Sequence, residues 1–187
     1  MENRKTKIME QAIREKKLGL GLLNIENDPA QLADITRPFV LMVSEDRPEA
    51  IDPRAIIPIE NQQSMGSCAG HATALIACYL NLLQTGKLVR MSRMFAYLQG
   101  QKASGLLGGD RGASIEGCVR AFHDVGICRE ELFPYPSGAR YQTSIPGPAI
   151  AEAGEHKLGS YAPIGSYAEA FAFLALGIGG IQIDVDW

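Results

Sequence analysis

The sequence has no apolar run approaching the roughly 18 residues that a membrane span needs. Its N-terminus carries Arg4, Lys5 and Lys7 where a secretory leader has its apolar core. The expectation is a chain neither embedded in a membrane nor secreted by that route. No two cysteines form a C-x-x-C pair and His71, His123 and His156 are scattered, so a structural zinc site lacks support, and neither metal nor cofactor is expected. Cys68, Cys78, Cys118 and Cys128 are an even set, but without a leader they do not read as a disulfide framework, and reduced thiols are expected. An excess of positive charge is missing too. A net charge of −3 offers no attraction for nucleic acid or for an anionic membrane surface. The basic cluster Arg4, Lys5, Lys7, Arg14, Lys16 and Lys17 reads as a solvated helix face. Internal repeats and low-complexity tracts are absent.

What is present has the balance of a globular protein: 187 residues, 46% hydrophobic and 21% charged, enough for one domain or two small ones. Ile8, Met9, Ala12 and Ile13 predict a short helix over 5–17, broken by Gly19 and Gly21. Residues 24–58, rich in Pro and Asp, predict an extended segment laid over a core. The strongest periodicity runs from Cys68 to Gln84, where Ala72, Leu75, Ile76, Tyr79, Leu80 and Leu83 recur at helical spacing, and Gly86 closes the helix. Ser92 is placed to cap a second helix through Met94, Phe95, Tyr97 and Leu98, and a glycine-rich loop follows over 105–112. A third helix should start at Ser114, bury Ile115, Cys118, Val119, Phe122 and Val125, and stop at Gly126. Phe133-Pro134-Tyr135-Pro136 must be non-helical. Ser166 and Glu169 form a capping box for a helix through Phe171, Phe173 and Leu176, ended by Gly177, and Ile181, Ile183, Val185 and Trp187 then alternate as in a strand.

One thiol stands apart. Cys68 opens the long helix, where unpaired N–H groups and the positive end of the dipole favour thiolate over thiol. It closes the stretch Asn61-Gln62-Gln63-Ser64-Met65-Gly66-Ser67-Cys68, which is similar to the motif of the papain-like cysteine peptidases: an Asn-Gln pair that precedes, at a fixed interval, a Gly-Ser-Cys opening the central helix. Two positions depart from that pattern. Met65 stands where lysosomal and plant members have a pairing cysteine, which fits a reducing compartment, and Ala69 replaces an aromatic wall. Such relaxations resemble those of bacterial and viral members, and they imply a cytoplasmic or virion-associated protein.

The resemblance implies that Cys68 attacks a peptide carbonyl, and that the Gln62 amide and the Cys68 backbone N–H stabilise the oxyanion. The stretch from Gly109 to Ile115, with the later Phe133-Pro134-Tyr135-Pro136, resembles the family's substrate wall. Gly112 and Ala113 then match the glycine pair that holds substrate backbone, and Ser114 and Ile115 match the specificity pocket. Ser114 also reads simply as a helix cap.

The implied fold is α+β and papain-like, with a helical left domain around the nucleophile helix and only the start of a β-rich right domain. The expected division is an N-terminal extension over 1–50, a helical domain over 51–160 and an incomplete β-rich domain over 161–187. The family's histidine and asparagine fall about 130–150 residues after the nucleophile, past Trp187. They are expected from a continuation of the chain or from a partner chain. His71, three residues after Cys68 on the same helix, is expected to pack rather than to act as the base. Two readings stay open: a cysteine peptidase acting on peptide or protein substrates once completed and inactive alone, or a catalytically inactive papain-like binding or assembly module. An occluding role for residues 1–50 has no motif behind it.

Overall fold

The computed structural model describes residues 56–177 and 179–183. The helix expected over 5–17, the extension over 1–50, most of the extended segment and the last strand residues, 184–187, lie outside the described residues.

Local capping chemistry sets the helices. α1 spans Cys68–Thr85, and Gly86 ends it with φ of 71°, its N–H donating to Leu82 O at 2.8 Å. α2 spans Arg93–Ala103, with Ser92 Oγ accepting from Phe95 N–H at 3.0 Å. α3 spans Ile115–Asp124, capped by Ser114 Oγ on Gly117 N–H at 2.9 Å. Phe133–Pro136 is non-helical, as the prolines require, and a short 3₁₀ turn covers Ser137–Ala139. α4, Gly147–Ala153, was not anticipated. α5 spans Tyr167–Leu176: Ser166 Oγ accepts from Glu169 N–H, while the Glu169 carboxylate reaches back to Gly165 N–H rather than to Ser166.

α2 is the hub. Met94, Phe95, Tyr97 and Leu98 are fully buried on it, and α1 and α3 cross it at close range. Small residues permit those crossings. A Cβ on Gly70 would stand 2.7 Å from the Tyr97 backbone, and one on Gly100 only 2.2 Å from Cys118 Sγ. The most buried face of α1 is accordingly Gly70, Thr73, Ala74, Ala77 and Cys78. This corrects the expected stripe: Leu80 is buried, but Ala72, Ile76, Tyr79 and Leu83 are half-buried and Leu75 is exposed. Close backbone approach selects small side chains here over large apolar ones. α4 seats Ala149 and Ala153 without exposure under the turn at Gly126, where Ile127 N–H donates to His156 O at 3.1 Å.

The strand expected from Ile181 is not paired over its described residues, and its alternation is inverted. Ile183 is exposed while Gln182 is buried. The reason is polar: Gln182 Nε2 donates to Ala69 O at 3.0 Å and its Oε1 accepts from Thr73 Oγ1 at 2.8 Å, so the amide is satisfied inside. Among the described residues, strand-like pairing is limited to an isolated antiparallel bridge between Met91 and Arg129.

Candidate active site

Cys68 is the first residue of α1, exposed and unbridged. Ser67 precedes it as N-cap residue but gives its hydroxyl elsewhere, so the helix end has no side-chain cap. Among the described residues neither the thiol nor the N–H of Cys68 has a hydrogen-bond partner. An uncapped first turn leaves the N–H donors and the positive dipole end without a side-chain partner at the residue that bears the thiol. The other three thiols are buried, and desolvation pushes those of Cys118 and Cys128 up to about 12.

The loop before Cys68 is tightly wound. Asn61 Oδ1 accepts from Gln63 N–H at 2.7 Å, Met65 N–H donates to Gln62 O at 3.3 Å, and Ser67 N–H donates to Met65 O at 2.8 Å. Gln63 takes φ of 56°, a left-handed conformation unusual away from glycine, and it lies beside the residue implied to hold the oxyanion. Gln62 is half-buried and its Nε2 donates one N–H to Met65 O at 3.2 Å, which leaves the second N–H of that amide.

Tyr135 holds this loop from below. Its hydroxyl donates to Gln62 O and meets Ser67 Oγ, each at 2.8 Å. The Arg93 guanidinium lies 5.0 Å from the centre of the Tyr135 ring, Glu130 accepts from Tyr135 N–H, and Arg93 joins Glu60 and Glu130 in ion pairs. Sequence reading treated Phe133–Pro136 only as a non-helical stretch of the wall, and so missed this role.

His71 is not placed as a base. Its Nδ1 lies 3.1 Å from Ser67 O, which can only accept, so that nitrogen carries the proton. Its Nε2 is buried with no partner among the described residues. Burial first of all, opposed by the bond to Ser67, lowers its pKa below the ordinary 6.5. The ring meets Tyr135 edge-on at 4.6 Å. This is the packing role expected from its position.

The two sequence segments of the implied site meet in space. A Cβ on Gly66 would stand 3.5 Å from Gly112 N. Gly66 N–H donates to both carboxylate oxygens of Asp110, at 3.0 and 3.1 Å. Gly112 has φ of 77°, its N–H donates to Tyr97 Oη at 3.1 Å, and its carbonyl accepts from Gln101 Nε2 at 3.0 Å. Its backbone groups are therefore already engaged. Ala113 is half-buried, and among the described residues its N–H and C=O have no hydrogen-bond partner. Ser114 spends its hydroxyl on the cap of α3 and on Ser104 Oγ, while Ile115 packs against the core.

Comparison of this architecture with solved structures gives consistent neighbours. Xylellain, a cysteine protease from Xylella fastidiosa, is 21% identical, with a TM-score of 0.56 over 86% of this chain and 64% of that one. The fold is papain-like. Digestive procathepsin L 3 from the larval midgut of Tenebrio molitor is 20% identical, with a TM-score of 0.55 over 90% of this chain and 59% of that one. Procathepsin B S9 from Trypanosoma congolense is 15% identical, with a TM-score of 0.53 over 88% and 59%. The chain thus spans about three fifths of the length of these papain-like structures. Its described residues correspond to the helical left domain. No family model and no curated protein matches the sequence. Among the described residues no cluster of metal-ligating side chains occurs, and no helix is long and apolar enough to cross a membrane.

Proposed function

We propose that this chain carries the nucleophile half of a cysteine peptidase, of the kind found in bacteria and viruses, working in a reducing compartment in the cytoplasm or with a virion. One observation carries the reading: a single exposed thiol at the uncapped first turn of α1, preceded by a strained loop that bears Gln62. Cys68 attacks a peptide carbonyl, and the acyl-enzyme forms as the amine leaves. The free N–H of Cys68 and the spare N–H of Gln62 stabilise the oxyanion. Ala113, with open backbone groups, takes the substrate strand; Gly112, its own backbone groups engaged, shapes the wall beside it, with Ser114 and Ile115 following at the pocket. The histidine and asparagine come from a continuation or a partner chain, and without them the chain is inactive.

Thiol labelling tests the first link. Iodoacetamide should modify one cysteine, Cys68, in the folded chain and all four after unfolding. A peptidyl epoxide should alkylate Cys68 rapidly, its ring opening as the S–C bond forms, only in the protein completed by its histidine and asparagine. Equal labelling of all four thiols in the folded chain would remove the basis of the assignment. A completed protein without Cys68-dependent peptide cleavage would leave the inactive binding or assembly module as the reading.

A further inference from the structure

We infer that Asp110 is a positioning residue for the nucleophile, and that it ties the Cys68 loop to the substrate wall through a buried Tyr97–Gln101 pair. The inference rests on the peptidase reading for its functional consequence, not for its geometry. Asp110 sits at the rim, exposed, and its two oxygens receive Gly66 N–H, two residues before Cys68. From below, Tyr97 Oη donates to Asp110 Oδ1 at 2.6 Å. Tyr97 Oη in turn accepts from Gly112 N–H at 3.1 Å and from Gln101 Nε2 at 3.0 Å.

Gln101 is fully buried and carries the chain of bonds onward. Its two amide hydrogens are shared among Tyr97 Oη, Gly109 O at 2.8 Å and Gly112 O at 3.0 Å, and its Oε1 accepts from Tyr141 Oη at 2.7 Å. Both ends of the 109–112 segment are therefore shaped by one side chain, and the middle of it grips the loop that delivers the thiol. Partner spacing in sequence is wide, 44 residues between Gly66 and Asp110, so this contact joins two distant segments rather than closing a local turn. Gly66 matches the role: a Cβ there would press on Asp110 Oδ1 at 3.3 Å. No cysteine is bridged among the described residues, so the tie is a carboxylate and holds in the presence of reductant.

Asp110→Asn, Asp110→Ala and Tyr97→Phe test it. In the 187-residue chain, exchange of the Gly66 amide should accelerate about three- to tenfold in Asp110→Ala, the worth of one hydrogen bond to a solvated carboxylate. Asp110→Asn, which keeps a carbonyl acceptor, should restore at least half of that protection, and amides of α3 should not move. In the completed protein, alkylation of Cys68 by a peptidyl epoxide should fall by a similar factor in Asp110→Ala and recover in Asp110→Asn. Iodoacetamide, which needs only the thiol, should react within about twofold of the parent rate. A Gly66 amide that already exchanges freely in the parent chain overturns the proposal, as does an equal loss with both reagents. A parent protein whose Cys68 never takes the epoxide refutes the peptidase reading instead, and Gly66 exchange still decides the tie. Should Asp110→Ala not fold, Tyr97→Phe, which removes one support of Asp110, must show the same split.

Discussion

Replacing Tyr135 by Phe isolates one oxygen atom. The ring stays against His71 and under Arg93, while the hydroxyl that links Gln62 O to Ser67 Oγ disappears. Gln62 O keeps the turn bond from Met65 N–H. Ser67 Oγ, fully buried, retains only His71 Nδ1 at 3.2 Å, a nitrogen whose hydrogen already points at Ser67 O. One carbonyl is thus half compensated and one hydroxyl is stranded. At ~0.5–1.5 kcal/mol for each net hydrogen bond the expected loss is about 1–2 kcal/mol. That lowers the folded-to-unfolded ratio roughly five- to thirtyfold. Urea unfolding at neutral pH measures it, with the slope against denaturant unchanged because the surface exposed on unfolding is the same. Because the hydroxyl holds Gln62, alkylation of the completed protein by a peptidyl epoxide should fall more than alkylation by iodoacetamide. A Tyr135→Phe protein as stable as the parent, with both reactivities intact, would show that the hydroxyl supports nothing and that the account of the loop is wrong.

The new methyl of Gly100→Ala would lie 2.2 Å from Cys118 Sγ, an overpacking that costs about 1–3 kcal/mol. The helix-propensity gain of about 1 kcal/mol for Ala over Gly offsets part of it, for a net loss of up to about 2 kcal/mol. In a Cys118→Ala background the penalty should shrink, and a double-mutant cycle by urea unfolding that finds additivity would refute the crossing geometry. His71 predicts an acid limb. Its folded pKa is lowered by burial, so the unfolded chain takes up a proton near pH 6.5 while the folded chain does not. Stability should therefore fall as pH drops below about 6.5. Arg93 adds to the lowering, whereas the Ser67 bond, Glu130 and Glu60 oppose it. His71→Gln should remove that part of the slope in a pH series of urea midpoints, and an unchanged slope would place the titrating group elsewhere.

Sequence alone located what is chemically local. Ser92, Ser114 and Ser166 each cap the helix they were expected to cap, and Gly86 and Gly177 each end one, because a cap is a bond to a backbone group three residues away. The papain-like fold was likewise legible, from the Gln62 to Cys68 interval. The unseen parts are long-range. α4 is a short helix whose only apolar seat is the alanine pair Ala149 and Ala153, too brief for periodicity to register. The buried face of α1 was misjudged because apolar size was read as depth, whereas helix crossings at Gly70 and Gly100 reward small side chains. The tie through Asp110, Tyr97 and Gln101 joins residues separated by up to 44 positions, for which no spacing rule exists. Gln182 broke the alternation rule outright, since a satisfied amide is as content indoors as an isoleucine.

That inward-facing amide is also a long-range tether on the first turns of α1. Gln182 meets Ala69 across 113 residues and Thr73 across 109, so this contact cannot close until the intervening polypeptide has been made, and it carries the entropy of closing so long a loop. On a ribosome the helix would emerge long before its last tether, and the first turn beneath Cys68 would be secured late in synthesis. A newborn chain therefore holds the Cys68 turn on a half-anchored support until the segment after α5 arrives.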